Sequence, residues 1–207
     1  MRASGLPGTG SLPSGTHILH YYHHGRELLN AQAGFCRAGL LNGEYCLWII
    51  TPPYTAAMAE YELRAILPPA ADYVKRGQLE FVPYSVWYFD DDAFSSESTV
   101  RRTGERLVSA INRGFEAARI CGALSWLQTP EQWRAFLLFE QSIHQAVTGT
   151  QIIGLCSYPI RIDHTETDRL LQASHHAVLR PTANQWTYVE CGPASGGRSA
   201  APSEPVI

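Results

Sequence analysis

The stretch that decides the fold is GLLNGEYCLWIITPP, residues 39–53. Asn42-Gly43 is a pair that commonly ends a helix, because glycine adopts left-handed backbone angles without a steric penalty. The run from Tyr45 to Ile50 has no polar alternation, which predicts a strand covered on both faces, as in a parallel sheet flanked by helices. Thr51-Pro52-Pro53 then forces an extended backbone and ends the strand. This stretch therefore predicts an α/β protein.

Strands and helices alternate along the rest of the chain. Strands are predicted at residues 17–22, 45–50, 79–83, 117–121 and 151–156, with helices near 26–41, 55–67, 98–113, 130–147 and 165–173. The runs 177–180 and 186–190 predict a β-hairpin that closes one edge of the sheet. This order implies a three-layer α/β sandwich around a mainly parallel sheet, with right-handed crossovers.

The two ends of the chain differ in composition from its middle. Residues 1–15 and 192–207 are rich in Gly, Pro, Ser and Ala, which predicts disordered tails on a single domain at 16–191. The net charge of −3 provides no general attraction to nucleic acid or anionic lipid, so we expect no direct contact with either. No apolar run could span a bilayer and no signal peptide is evident, so a cytoplasmic location is expected. Five scattered cysteines fit reduced thiols in that compartment.

The turn after the first strand is where a nucleotide-binding fold carries its phosphate loop. Here it is Tyr22-His23-His24-Gly25-Arg26, and neither glycine-rich phosphate motif is present. The fourth strand ends at Ile120-Cys121-Gly122, without the acidic residue that would help hold magnesium. The sequence therefore predicts no ATPase activity and no cofactor.

The histidine-rich start of the chain invites a search for metal ligands. His20, His23 and His24 are candidate ligands, but no helical pair of histidines with a glutamate accompanies them, so no metal site is predicted. Cys156 lies at the end of a predicted strand, and His17 or His175 could approach it as a base. No acid is placed behind either histidine and the G-x-S-x-G motif is absent, so catalysis is not predicted either.

Aromatic residues cluster at the predicted carboxyl ends of the strands, where open α/β sheets bind ligands. They could line an apolar pocket with a few polar contacts, or they could cap the core under the loops. The candidate walls of the pocket are Tyr21, Trp48, Trp87, Trp126 and Tyr158. The candidate polar contacts are His17, Glu44 and Cys156.

Several of these residues fall into a pattern that resembles the MEDS domain, a sensory domain of methanogen and methylotroph signalling proteins that include a dichloromethane-responsive repressor. The resemblance covers about residues 17–190. It rests on His17 with Tyr21, on 38–49 and 77–80, on Trp87-Tyr88, on 119–126, on Trp133, on Phe139-Glu140, on Cys156-Ser157-Tyr158 and on His175-His176.

The resemblance implies a RecA/KaiC-like fold with a degenerate phosphate loop, and a non-catalytic sensor of small molecules such as hydrocarbon derivatives. The ligand would be small and apolar or weakly polar. No DNA-binding or kinase domain is evident, so the signal would reach transcription or signal transduction through a partner protein. Two alternatives remain: a ligand-free interaction module that regulates a kinase or transcription factor, and an enzyme that uses His17 or Cys156. By analogy with RecA-like domains, a homodimer is also considered.

Overall fold

A computed structural model describes residues 1–160, 165–182 and 185–191. In chain order the strands are β1 (Arg2–Ala3), β2 (Ser11–Leu12), β3 (His17–Tyr22), β4 (Tyr45–Ile50), β5 (Leu79–Pro83), β6 (Phe89–Asp90), β7 (Ala93–Phe94), β8 (Ala118–Ala123), β9 (Ile152–Pro159), β10 (Ala177–Pro181) and β11 (Trp186–Glu190). The helices are α1 (Gly25–Leu41), α2 (Ala56–Ile66), α3 (Ala70–Lys75), α4 (Tyr84–Tyr88), α5 (Ser96–Asn112), α6 (Pro130–Val147) and α7 (Thr165–Ala173).

The central sheet has seven strands in the order β11-β10-β3-β9-β8-β4-β5. All neighbours are parallel except β10 and β11, which form an antiparallel hairpin at one edge. Helices α1 and α2 cover one face of the sheet, and α5, α6 and α7 cover the other. The predicted fold class, a three-layer sandwich with a C-terminal hairpin, is confirmed.

Local sequence signals explain where the main elements begin and end. Helix α1 stops at Asn42, and Gly43 follows with φ of +72°, as the turn pair predicted. Helix α6 begins with a capping box, in which Thr129 accepts from the Gln132 backbone N–H and the Gln132 side chain accepts from the Thr129 backbone. In β4, residues 45–49 are buried, as expected of a strand covered on both faces.

The N-terminal segment corrects one prediction. Residues 1–15, for which composition predicted a disordered tail, contain the hairpin of β1 and β2, with Leu6 and Leu12 buried in the core. The tight turns of this segment use glycines at positive φ, and Gly5 approaches the backbone of Gly34 too closely for a side chain. The glycines of this segment allow tight turns and close packing of the backbone, so the glycine-rich composition does not indicate disorder here. The predicted tail at 192–207 lies outside the described residues.

Two smaller features were also not anticipated. Residues 84–94, which lie between the predicted strand at 79–83 and the predicted helix near 98–113, contain α4 and the short hairpin of β6 and β7. Strand β9 extends to Pro159, so Cys156 lies inside a strand rather than at its end. Among the described residues, none of the helices is both long and apolar enough to cross a lipid bilayer.

Candidate functional site

Four of the predicted site residues meet at one point on the sheet face that α6 covers. His17 at the start of β3 and Cys156 in β9 are neighbours, with the His17 Nε2 atom 3.2 Å from the Cys156 sulfur. Tyr158, two residues further along β9, is buried beside them. Trp87 of α4 lines a small cavity that also touches His17 and Cys156. The structure thus brings His17, Trp87, Cys156 and Tyr158 together.

The other four predicted residues lie elsewhere. Trp48 faces the opposite side of the sheet, where its indole N–H donates to Gln32 at 2.9 Å. The Tyr21 hydroxyl donates to Asp168 at 3.0 Å. Trp126 packs within an aromatic cluster formed by Tyr84, Tyr88, Phe89, Phe94 and Phe136.

Glu44 is bound in a buried ion pair with Arg119. The histidines considered for a metal are also apart from the central group. His20 is buried on the opposite face beside Ser157, with its Nδ1 atom 2.9 Å from the serine hydroxyl. His23 and His24 are exposed and lie near Glu27.

Glu140 and His175, which are not among the predicted pocket residues, complete the central group. Glu140 of α6 places its Oε2 atom 3.4 Å from His17 Nε2 and 3.6 Å from His175 Nε2. The His175 ring, just before β10, stacks on the His17 ring with centroids 3.9 Å apart. One donor atom from each of His17, Glu140, Cys156 and His175 lies within 4.8 Å of all the others. These four residues form the His-Cys-Glu cluster, and their side chains are of the types that bind metal ions.

Backbone carbonyls fix the tautomer of both imidazoles in the cluster. His17 Nδ1 lies 3.1 Å from the Ser174 carbonyl oxygen, and His175 Nδ1 lies 2.6 Å from the Leu171 carbonyl oxygen. A carbonyl oxygen can only accept, so both Nδ1 atoms carry the proton. In the neutral rings the Nε2 atoms are therefore acceptors, and both point toward Glu140 and Cys156.

The cluster is buried, and burial favours the uncharged form of each of its ionisable groups. Burial lowers the pKa of His175 to about 3, and burial together with the neighbouring His175 lowers the pKa of His17 well below its usual range. Burial raises the pKa of Glu140 to about 7, against the opposing effect of the Tyr158 hydroxyl that donates to it. Cys156 keeps some accessible surface, but its thiol is surrounded by protein, and burial beside Glu140 raises its pKa.

The hydrogen bonding of the cluster is incomplete. Within the described part of the chain, neither Glu140 Oε2 nor His175 Nε2 has a hydrogen bond of normal geometry. Buried polar atoms almost always have a hydrogen-bond partner, so two neighbouring atoms without one are unusual. Beside them lies a cavity of about 40 Å³, lined mainly by apolar side chains such as Ile49, Ile120 and Phe139.

The fold and the family follow from comparison with known proteins. A crystal structure of a KaiC-like protein from the hyperthermophilic archaeon Pyrococcus horikoshii is similar over 87% of this chain and 80% of that one, with a TM-score of 0.60 at 18% sequence identity. The chain thus has a RecA/KaiC-like α/β fold. The model of the MEDS family, the methanogen/methylotroph, DcmR sensory domain, matches residues 16–176. The chain belongs to the MEDS family. No match was found among curated proteins.

Proposed function

We propose that this chain is a non-catalytic sensory domain that binds a small, mainly apolar molecule in the cavity between the sheet and α6. The observation that carries the proposal is the cavity itself, whose lining is mainly apolar and includes the polar side chains of His17, Cys156 and Thr103. Ligand sites commonly combine apolar walls with a few polar groups that orient the ligand. Membership of a sensory-domain family supports the same conclusion.

The size of the cavity restricts the ligand. A volume of about 40 Å³ has room for about three water-sized groups. A one- or two-carbon compound with a halogen, oxygen or sulfur atom matches both the size and the polarity of the cavity. This chemistry agrees with the hydrocarbon derivatives that the resemblance implied.

The cavity walls suggest how binding would be transmitted. Trp87 and Tyr88 are buried, and Trp87 lines the cavity from α4, which is followed directly by the hairpin of β6 and β7. The backbone carbonyl of Trp87 accepts from Arg102 of α5 at 2.8 Å, which links this segment to a surface helix. A ligand changes the conformation only if it binds two arrangements of this segment with different affinity. In this proposal the changed surface is read by a signalling or transcriptional partner protein.

An enzyme that uses Cys156 is the second candidate, because Cys156, His17 and Glu140 have the close spacing of a thiol catalytic site. A nucleophilic cysteine must be a thiolate, however, and is normally activated by a lowered pKa. Burial raises the pKa of Cys156 instead. The proposed function is therefore binding without catalysis.

The test is a titration of the protein with dichloromethane in sealed cells, followed by calorimetry or NMR. Gly122→Ala places a methyl group against the cavity, where the new Cβ meets Ile49 Cβ at 3.1 Å and the Tyr88 hydroxyl at 3.4 Å. Gly104→Ala in α5 is the matched control, since its new Cβ has no atom within 4 Å. We expect wild type and Gly104→Ala to bind dichloromethane, and Gly122→Ala to bind it at least tenfold more weakly.

A size series makes the same experiment sharper. The longer 1,4-dichlorobutane should not bind to wild type, because it exceeds the cavity volume. Equal binding of dichloromethane by folded Gly122→Ala and by wild type would show that the cavity is not the binding site. If wild type binds no member of a series of one- to four-carbon compounds, the ligand-free interaction module becomes the better reading. Turnover of a bound compound would favour the enzyme.

A further inference from the structure

We propose that the His-Cys-Glu cluster is a binding site for one divalent transition-metal ion of the zinc class. His17, Glu140, Cys156 and His175 would be its four ligands. The inference goes beyond the proposed sensory function and does not depend on it, because it rests on the geometry and donor balance of the cluster alone.

The spacing of the donor atoms matches a tetrahedral ion. Zinc lies about 2.0–2.1 Å from histidine nitrogen, about 2.0–2.2 Å from carboxylate oxygen and about 2.3 Å from cysteine sulfur, so tetrahedral ligands are about 3.3–3.6 Å apart. Three of the six separations between donor atoms are 3.2 Å from His17 Nε2 to Cys156 sulfur, 3.4 Å from His17 Nε2 to Glu140 Oε2, and 3.6 Å from His175 Nε2 to Glu140 Oε2. The other three are no longer than 4.8 Å, so the ligands would move closer together on binding an ion.

The donors and acceptors of the cluster are not all paired without a cation. His17 Nε2, His175 Nε2 and Glu140 Oε2 are three acceptors, and among the described residues the Cys156 thiol is the single donor that faces them. A proton on Glu140 Oε2 would turn that atom into a donor and equalise the count, but it lies 3.6 Å from His175 Nε2, which is too far for a hydrogen bond, so both atoms still lack a partner. A cation at the centre satisfies all the acceptor atoms at once.

Charge also balances when the ion is present. Two neutral imidazoles, one thiolate and one carboxylate carry a total charge of −2, which a divalent ion neutralises. Glu140 and His175 are fully buried, where an uncompensated charge is strongly unfavourable. Binding would release the proton of Cys156, together with that of Glu140 where it is protonated.

Three of the four ligands are already held by a neighbour of the kind that orients metal ligands. His17 and His175 donate their Nδ1–H groups to backbone carbonyls, and the Tyr158 hydroxyl donates to the second oxygen of Glu140. Such outer contacts fix the tautomer and the ring orientation in known metal sites. Towards the surface, the partly exposed rings of His176 and His144 lie 4.3 Å apart, and the His144 ring lies 5.9 Å from His17.

The donor set selects the type of ion. Imidazole and thiolate ligands suit zinc, cobalt(II) and related ions, whereas calcium and magnesium require oxygen ligands. With four protein ligands the first coordination shell is complete, as in structural zinc sites.

The experiment starts from the full chain, freed of metal with a chelator under reducing conditions. Cobalt(II) is then titrated and its absorption recorded, and zinc affinity is measured by competition with a chromophoric chelator. We expect one ion per chain, the intense visible bands of tetrahedral cobalt, and a near-ultraviolet band from the cobalt–thiolate bond. Zinc at about a hundredfold excess over its Kd should raise the melting temperature by about 5–10 °C.

Two variants and one control assign the ligands. Cys156→Ser should abolish the cobalt–thiolate band, whereas Cys191→Ser, a partly buried cysteine outside the cluster, should retain it. Glu140→Gln keeps every sulfur atom, so it should retain the thiolate band while zinc affinity falls by more than tenfold. The proposal is overturned if wild type takes up no ion, or if folded Cys156→Ser gives the wild-type spectrum and affinity. Should Cys156→Ser fail to fold, unchanged zinc affinity in Glu140→Gln overturns it equally.

Discussion

Two buried glutamates, Glu44 and Glu140, show how differently the same side chain can be accommodated in one core. Glu44 faces Arg119, whose Nε atom donates to it at 2.5 Å, and Arg2 approaches the same carboxylate at 3.3 Å. Every guanidinium nitrogen of Arg119 donates, with Ala3, Ser4 and Phe35 supplying backbone carbonyls as further acceptors. This ion pair is complete.

Glu140 has no such cationic partner among the described residues. Its Oε1 atom accepts from Tyr158, and its Oε2 atom faces two imidazole acceptors. A carboxylate with all its hydrogen bonds made stabilises the fold. A carboxylate that faces other acceptors without donors is a candidate for binding a cation. The difference separates a structural polar site from a candidate functional one, although both are equally buried.

The largest expected effect comes from breaking the complete ion pair. Arg119→Met removes the guanidinium and leaves Glu44 buried without its main partner, so we expect a loss of about 3–5 kcal/mol in the free energy of unfolding. Urea denaturation measures it. Arg106→Met is the control, since Arg106 forms a partly exposed pair with Glu80 at 3.0 Å and should cost less than about 1 kcal/mol. Equal costs in the two variants would mean that Glu44 does not depend on Arg119.

A smaller effect is expected from the hydrogen bond that Glu140 does have. Tyr158→Phe removes the buried hydroxyl that donates to Glu140, which should cost about 1–2 kcal/mol of stability. If the cluster binds zinc, the same variant should weaken zinc binding by about 10–100-fold, because an outer contact is lost. Tyr61→Phe on the exposed surface should change neither quantity. If Tyr158→Phe were as stable as wild type and bound zinc equally well, Tyr158 would neither stabilise the fold through Glu140 nor position Glu140 for zinc.

The smallest effect should come from Glu140 itself in the metal-free protein. Glu140→Gln introduces an amide N–H that can donate to an imidazole Nε2 atom, so stability should change by no more than about 1 kcal/mol. Glu44→Gln is the matched variant at the other site and should cost several times more, because it leaves the Arg119 charge uncompensated. Similar losses by urea denaturation in the two variants would contradict the distinction between the sites.

Much of the fold could be predicted because its signals are local. Strands β3, β4 and β5 and helix α7 begin and end at the predicted residues, since short apolar runs and turn residues mark their limits. The order of strands in the sheet is not a local property. That order places β3 between β9 and β10, which brings His17 beside Cys156 and His175.

The candidate site was predicted only in part for the same reason. The aromatic residues at strand ends suggested a site at the carboxyl edge of the sheet. The His-Cys-Glu cluster instead lies beneath α6, against the start of β3 and the middle of β9, and the cavity extends from there to Ile49 and Gly122 near the ends of β4 and β8. Glu140 and His144 are four residues apart on α6, and an acid and a histidine on one face of a helix could have been noticed. Arg119 could not be linked to the N-terminal segment from composition.

The positions of the cluster residues in the chain have a consequence for folding. His17 and Ser174, joined by a hydrogen bond, are 157 positions apart, and Glu140 and Cys156 come from elements between them. Any group bound by all four cluster residues would close one long loop and two shorter ones, and loop closure removes conformational entropy from the unfolded chain. An occupied cluster would therefore cross-link β3 to the elements that follow it late in the chain. It could assemble only once nearly the whole domain had folded.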